Sequence, residues 1–249
     1  MESTRYVVVF TLLMTILVAL LLSALFYGTK DQAAINEDVF NKRAILGAIS
    51  DHVDKDVKAM SDGEVLGIFN NQIEQVVLDM DGAIVDGIKA EKIDMAKEKK
   101  KPEADRQLPL YVYKKEGGEK FYIVSIRGNG LWDEIWGNIA IGSDFSTVAG
   151  VSFDHKGETP GLGAEIKDNP AFSRQFKGTK IYDADGNYTS INVRKGGAKD
   201  KMHEVDGISG ATVTADGVSE MLYRGIKYYQ PYFNKLKMGK GKPVGMLVK

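Results

Sequence analysis

Residues 206–214 read Asp206-Gly207-Ile208-Ser209-Gly210-Ala211-Thr212-Val213-Thr214. Ser209, Thr212 and Thr214 bring hydroxyls to a stretch whose glycines and alanine let another molecule approach the backbone closely. An apolar period then predicts a helix over 215–229 that buries Val218, Leu222, Ile226 and Tyr229. A helix start presents free N–H groups and a partial positive charge, so it suits a phosphate. Thr212 is placed to supply an esterified oxygen to such a group. The same residues also fit a plain turn, with Thr214 as the helix N-cap and Asp216 in the first turn. Spacing alone leaves both readings open.

Two other segments could do chemistry beside it. In His155-Lys156-Gly157-Glu158-Thr159-Pro160-Gly161-Leu162-Gly163, Thr159 precedes a proline and is pushed toward extended backbone. Gly161 and Gly163 then permit a tight turn that exposes Leu162 and free N–H groups. Such a loop can cover one face of a flat ring, or be an ordinary hairpin loop. In Gly128-Asn129-Gly130-Leu131-Trp132-Asp133-Glu134-Ile135-Trp136-Gly137, two tryptophans flank a short turn. They are either core aromatics or walls of a cofactor site. The Gly128-x-Gly130 pair is no dinucleotide fingerprint, because Asp133 stands where the third glycine belongs. No NADH site is visible.

Composition narrows the chemistry further. The 249 residues contain no cysteine, which excludes disulfides, thiol catalysis and thiolate-held clusters. The three histidines are widely spaced and suggest no metal site. A net charge of −1 gives no field that would gather nucleic acid. No convincing catalytic acid–base set is visible.

The elements that must position these segments form an α+β layout, a sheet with helices to one side. Residues 1–5 form a short tail. Residues 6–27 (YVVVFTLLMTILVALLLSALFY) carry no charge, Gly or Pro. As a helix they extend roughly 33 Å at about 1.5 Å per residue, enough for a hydrocarbon core of about 30 Å. The run is too long for the apolar part of a cleaved signal peptide. A retained anchor in membrane lipid is expected, with Arg5 inside and the domain outside.

Residues 28–110 form a membrane-proximal helical and mixed region. An amphipathic helix leaves the membrane, a Ser61-capped helix buries Val65, Leu66, Ile68 and Phe69, and a short strand covers Val76–Leu78 before the turn Asp81-Gly82. The charged run 89–106 reads as a solvated helix face or mobile loop. Residues 111–235 form the main domain: a hairpin turning at Gly117-Gly118, strands near 137–142, 148–153, 179–183 and 190–194, a turn at Asp185-Gly186, and a short helix from Pro170 to Phe176. Residues 236–249 form a tail.

Together the three segments carry a resemblance. Asp206-Gly-Ile-Ser-Gly-Ala-Thr212 resembles the motif D-x-x-S/T-G-A-T of domains that hold FMN as a phosphoester on the final threonine. The ETPGLG loop, and GLWDEIWGNIAI before it, are most similar to the C subunit of the sodium-translocating NADH:quinone reductases. The resemblance is strongest over about 128–229. It implies an α+β FMN-binding domain on the periplasmic side of the bacterial inner membrane, behind a single-pass anchor. It also implies one covalent FMN on Thr212, with Asp206, Ser209, Gly210 and Ala211 completing the motif read by a flavin transferase. Thr159, Gly161, Leu162 and Gly163 match the loop near the isoalloxazine ring, and Trp132 the pocket wall. The implied role is an electron relay between partner subunits of a membrane NADH:quinone reductase complex, coupled to sodium export. The G subunit of the related Rnf electron-transport complex, and an anchored FMN-binding sensor or assembly factor, are the alternative readings.

Overall fold

The computed structural model describes residues 2–115 and 117–239, so most of the tail expected over 236–249 lies outside the described residues. The apolar N-terminal run lies in one helix, α1 (Glu2–Gly47). Its large apolar side chains from Tyr6 to Tyr27 are exposed, a surface suited to lipid rather than to water. Thr11 and Thr15 turn their hydroxyls back onto the carbonyls of Val7 and Thr11, both at 2.8 Å, so neither presents an unpaired donor. The helix is long and apolar enough to cross a membrane.

A second compact unit begins at Lys42. Helix α2 (Asp62–Gln72) starts in a capping box: Ser61 Oγ accepts from the Glu64 N–H while Glu64 accepts from the Ser61 N–H. It buries Val65 and Phe69, whereas Leu66 and Ile68 stay half-buried. Strand β1 (Ile73–Leu78) follows at once.

The charged run after it is largely solvated, as expected, with Glu98 the one buried charged side chain in it. It winds into a 3-10 turn (Ala90–Lys92), helix α3 (Met95–Glu98) and a second 3-10 turn (Glu103–Asp105). Asp94 caps α3, and the buried Glu98 carboxylate accepts from Gln107 N–H at 2.9 Å and pairs with Lys101 at 2.8 Å. Carboxylates spent on backbone donors hold the segment down, a use of charge that composition does not reveal.

Strands β2 (Leu108–Lys114), β3 (Lys120–Asn129), β4 (Glu134–Ile141) and β5 (Val148–His155) complete an antiparallel meander in the order β1-β2-β3-β4-β5. The sheet thus begins at β1, and the boundary expected at 110 cuts through β2. Short helices α4 (Glu165–Asp168) and α5 (Pro170–Arg174) follow. Phe172 and Phe176 are buried with Phe153 of β5, at ring separations of 6.0 and 5.2 Å.

The strand expected over 179–183 is reduced to isolated bridges at Lys180 and Tyr182. A parallel pair, β6 (Asn192–Arg194) and β7 (Glu204–Asp206), leads into helix α6 (Thr212–Lys227) and then α7 (Gln230–Lys237). Helix α6 lies along β3, burying Val218, Leu222 and Ile226 in the main core. The approach is close enough that a Cβ on Gly217 would strike the Asn129 carbonyl. This contact seats the start of α6 beside the β3–β4 turn.

Candidate functional site

Helix α6 begins at Thr212, three residues before the expected start. Gly210, at φ 76°, turns the chain so that Ala211 N–H donates to Ile208 O, and Ala215 N–H then makes the first helical bond to Ala211 O at 2.9 Å. The N-cap is therefore Ala211, which has no side-chain acceptor to offer. The N–H groups of Thr212, Val213 and Thr214 have no acceptor within the helix. Thr212 is half-buried, and its hydroxyl enters no hydrogen bond among the described residues.

Thr214, read as the N-cap from the sequence, does something else. It is 1 % exposed, and its hydroxyl donates to Glu158 Oε2 at 2.6 Å. With helical backbone already established at Thr212, Thr214 lies inside the first turn and points into the protein.

The loop after β5 supplies that carboxylate. Thr159, Pro160, Gly161 and Leu162 form a type II turn: Leu162 N–H donates to Thr159 O at 3.1 Å, with Pro160 in the second position and Gly161 at φ 74° in the third. The turn exposes Leu162, as expected, and sets it against the motif: a Cβ on Gly210 would meet Leu162 Cδ2 at 2.7 Å. Gly163 has no room for a side chain, since a Cβ there would land on Glu158 Oε2 and on the Thr214 hydroxyl.

The β3–β4 turn closes the arrangement. Trp132 donates its backbone N–H to Glu158 Oε1 at 2.9 Å and its indole N–H to Thr159 Oγ1 at 3.1 Å. The residue is 69 % exposed, which removes the core-aromatic reading for it. Trp136 is half-buried under Arg127, whose guanidinium lies 4.9 Å from the ring.

All three segments thus meet on Glu158, which is 4 % exposed. Burial pushes its carboxyl up, but hydrogen bonds from Thr214 and from the N–H groups of Trp132 and Asp133 outweigh that and hold it below the ordinary value. Residue-type reasoning passed over this glutamate. The signal available was the two glycines, Gly130 and Gly163, that its oxygens crowd.

Asp206 stands behind the site. Its N–H donates to Gln175 and its carboxylate accepts from Ala198 N–H at 2.7 Å, so its contacts shape the approach to the motif. Ser209 is exposed. With Gly161, Gly207, Ile208, Asn169 and Gln175 it borders a cavity of about 290 Å³.

A model of the FMN-binding domain matches residues 130–227, which contain Trp132, Glu158, Leu162, Thr212 and Thr214. The C subunit of the Na(+)-translocating NADH-quinone reductase from Neisseria meningitidis serogroup A is 42% identical over 131 residues, 51% of this chain and 50% of that protein. The same subunit from Pseudomonas aeruginosa is 33% identical over 185 residues, covering 66% of this chain and 70% of its own. The crystal structure of the C subunit from Parabacteroides distasonis superposes with a TM-score of 0.71 at 36% identity, covering 82% of this chain and 96% of that one. This chain belongs to the C-subunit family of the Na(+)-translocating NADH-quinone reductases. The match spans about half the length of the Neisseria relative.

The geometry fits the family's FMN-binding domain. The uncapped start of α6 offers N–H groups and dipole to a phosphate beside the free Thr212 hydroxyl. Trp132, Leu162 and Val213 expose apolar surface close by, suited to a flat ring.

Proposed function

We propose that this chain carries one FMN, joined by a phosphoester to Thr212 Oγ1, and acts as an electron relay in a sodium-pumping NADH:quinone reductase. The observation that carries this reading is the contrast at the start of α6, where, among the described residues, the Thr212 hydroxyl is uncommitted and the next helix N–H groups are uncapped. FMN supplies one- and two-electron redox chemistry when bound. The chain's own residues then hold and orient. The N–H groups of Thr212, Val213 and Thr214 neutralise the phosphate. Gly210 and Ala211 leave room beside it, and Ser209 offers a hydroxyl at the edge of the adjoining cavity. Leu162 and Trp132 cover the ring, with Thr159 holding the indole by its hydroxyl. Asp206, Gly161 and Gly163 act on backbone shape. A flavin transferase reads the motif from Asp206 to Thr212. NADH oxidation, quinone reduction and sodium passage belong to partner subunits.

The flavin domain lies on the periplasmic side of the inner membrane, with α1 as a single-pass anchor. The chain has no native cysteine, so Asp185→Cys in the exposed 183–187 turn gives one label site. A membrane-impermeant maleimide should label it in intact spheroplasts. Labelling only after lysis would reverse the topology. For the cofactor, in-gel flavin fluorescence under denaturing conditions should show a band for the wild type and for Thr214→Val, and none for Thr212→Ala. A fluorescent Thr212→Ala band would move the attachment elsewhere.

A further inference from the structure

We infer that Glu158 is the positioning residue of this site: a buried carboxylate that ties the attachment helix, the ring loop and the Trp132 turn into one register before any cofactor arrives. The inference rests on the proposed flavin role of the site, but its geometry stands on this chain's own residues.

Glu158 belongs to the loop between β5 and α4, yet its two oxygens serve other segments. Oε1 accepts from the Trp132 backbone in the β3–β4 turn, and Oε2 from Thr214 in the first turn of α6. Its partners lie 26 and 56 residues away in the chain. Its own N–H donates to His155 Nδ1 at 3.1 Å, which fixes where the loop leaves β5.

Two glycines make the room this requires. A Cβ on Gly130 would land on Oε1, and one on Gly163 on Oε2. A buried anion placed where both neighbouring backbones must lack side chains is an expensive arrangement for mere filling, since an apolar residue would fill the space without desolvating a charge. What the carboxylate adds is two strong, directional acceptors that face in different directions. Thr212 sits two residues before Thr214 on the same helical turn, and Thr159 follows Glu158 directly and holds the Trp132 indole. A shift of the carboxylate therefore moves the attachment oxygen and the ring wall together.

The test uses the full-length chain, unloaded and then exposed to the flavin transferase with flavin adenine dinucleotide, whose phosphoanhydride bond breaks as the FMN phosphoryl passes to Thr212 Oγ1, releasing AMP and the hydroxyl proton. In the unloaded chain, Glu158→Ala should move the Trp132 indole N–H resonance toward that of a solvent-exposed indole; Trp136→Phe assigns the signal. On exposure to the transferase, Glu158→Ala should load Thr212 at least ~10-fold more slowly, because small misplacements of a reacting group carry losses of that order. Glu158→Gln can still accept from Trp132 and donate to the Thr214 hydroxyl, so it should hold the indole signal and load within about threefold of wild type, on the same positioning logic. Thr214→Val removes one tether without touching Glu158 and should slow loading in the same direction, serving as the second variant if Glu158→Ala fails to fold. An unmoved indole signal with wild-type loading in Glu158→Ala would overturn the inference. So would equal loss in Glu158→Gln, which would assign the effect to charge. If the wild type takes no flavin at Thr212, the proposed function fails, while the indole signals of the unloaded variants still decide the role of Glu158.

Discussion

Thr212 and Thr214 stand two residues apart on the same helix, and their hydroxyls have opposite fates. The Thr214 side of the turn is buried, and its oxygen is spent on Glu158, which also receives the Trp132 N–H. The Thr212 side is open: among the described residues the hydroxyl is uncommitted and the N–H groups above it are uncapped, and Leu162, Val213 and Trp132 present apolar surface. The inner half is a rigid support with its polar groups paired. The outer half has groups waiting for a partner. Separating support from reception in this way lets a site be stiff before its ligand arrives, which is what holding a flat cofactor ring in a fixed pose requires.

The largest effect should come from forcing the two halves apart. Gly163→Ala drives a Cβ into the Glu158 carboxylate and the Thr214 hydroxyl, and overpacking of this kind costs about 1–3 kcal/mol or more. Urea denaturation of the domain should show that loss, and an unchanged midpoint would mean that the inner half yields easily.

Thr214→Val keeps the shape but removes the donor to a buried anion. A hydrogen bond to a charged group is worth ~1.5–3 kcal/mol, so the variant should lose about 2 kcal/mol. Thr212→Ala, at the open position, should lose about 1 kcal/mol or less. Similar losses at both threonines would erase the contrast between them.

A smaller effect is expected in acid. The Glu158 carboxyl lies below its ordinary value of 4.5 when folded. Its contribution to stability is therefore present above that value and is lost as pH falls through the lower folded one. Glu158→Gln should flatten the decline in stability below about pH 4.5. If the acid limbs of variant and wild type coincide, Glu158 is not ionised in the fold.

The smallest effect on stability belongs to Leu162→Lys, on an exposed turn, which should lie within about 0.5 kcal/mol of wild type. It should still change the absorption spectrum of a bound flavin. Identical spectra would place the ring away from this loop.

How much of this was legible in the sequence follows the range of the interactions. The Ser61 capping box, the β2–β3 hairpin and the Gly161 turn depend on near neighbours, and each is where the residue pattern puts it. The start of α6 was misplaced because the cap rule looks only at local side chains. Thr214 satisfies that rule, but its hydroxyl is claimed by a residue 56 positions earlier. Glu158 was passed over for the same reason. The charged run at 89–106 is solvated as its composition indicates, but its anchors, such as Glu98 accepting from Gln107 N–H, use backbone groups that composition cannot show. The strand expected at 179–183 has β-forming residues but only single bridging partners there.

The most direct test of the central claim is the mass of the peptide that contains residues 206–214, from protein purified out of cells that hold the flavin transferase. The account predicts an increment matching FMN, localised by fragmentation to Thr212, and no increment in the same peptide from Thr212→Ala. An unmodified peptide in wild-type protein, or an adduct on Ser209 or Thr214, would contradict it.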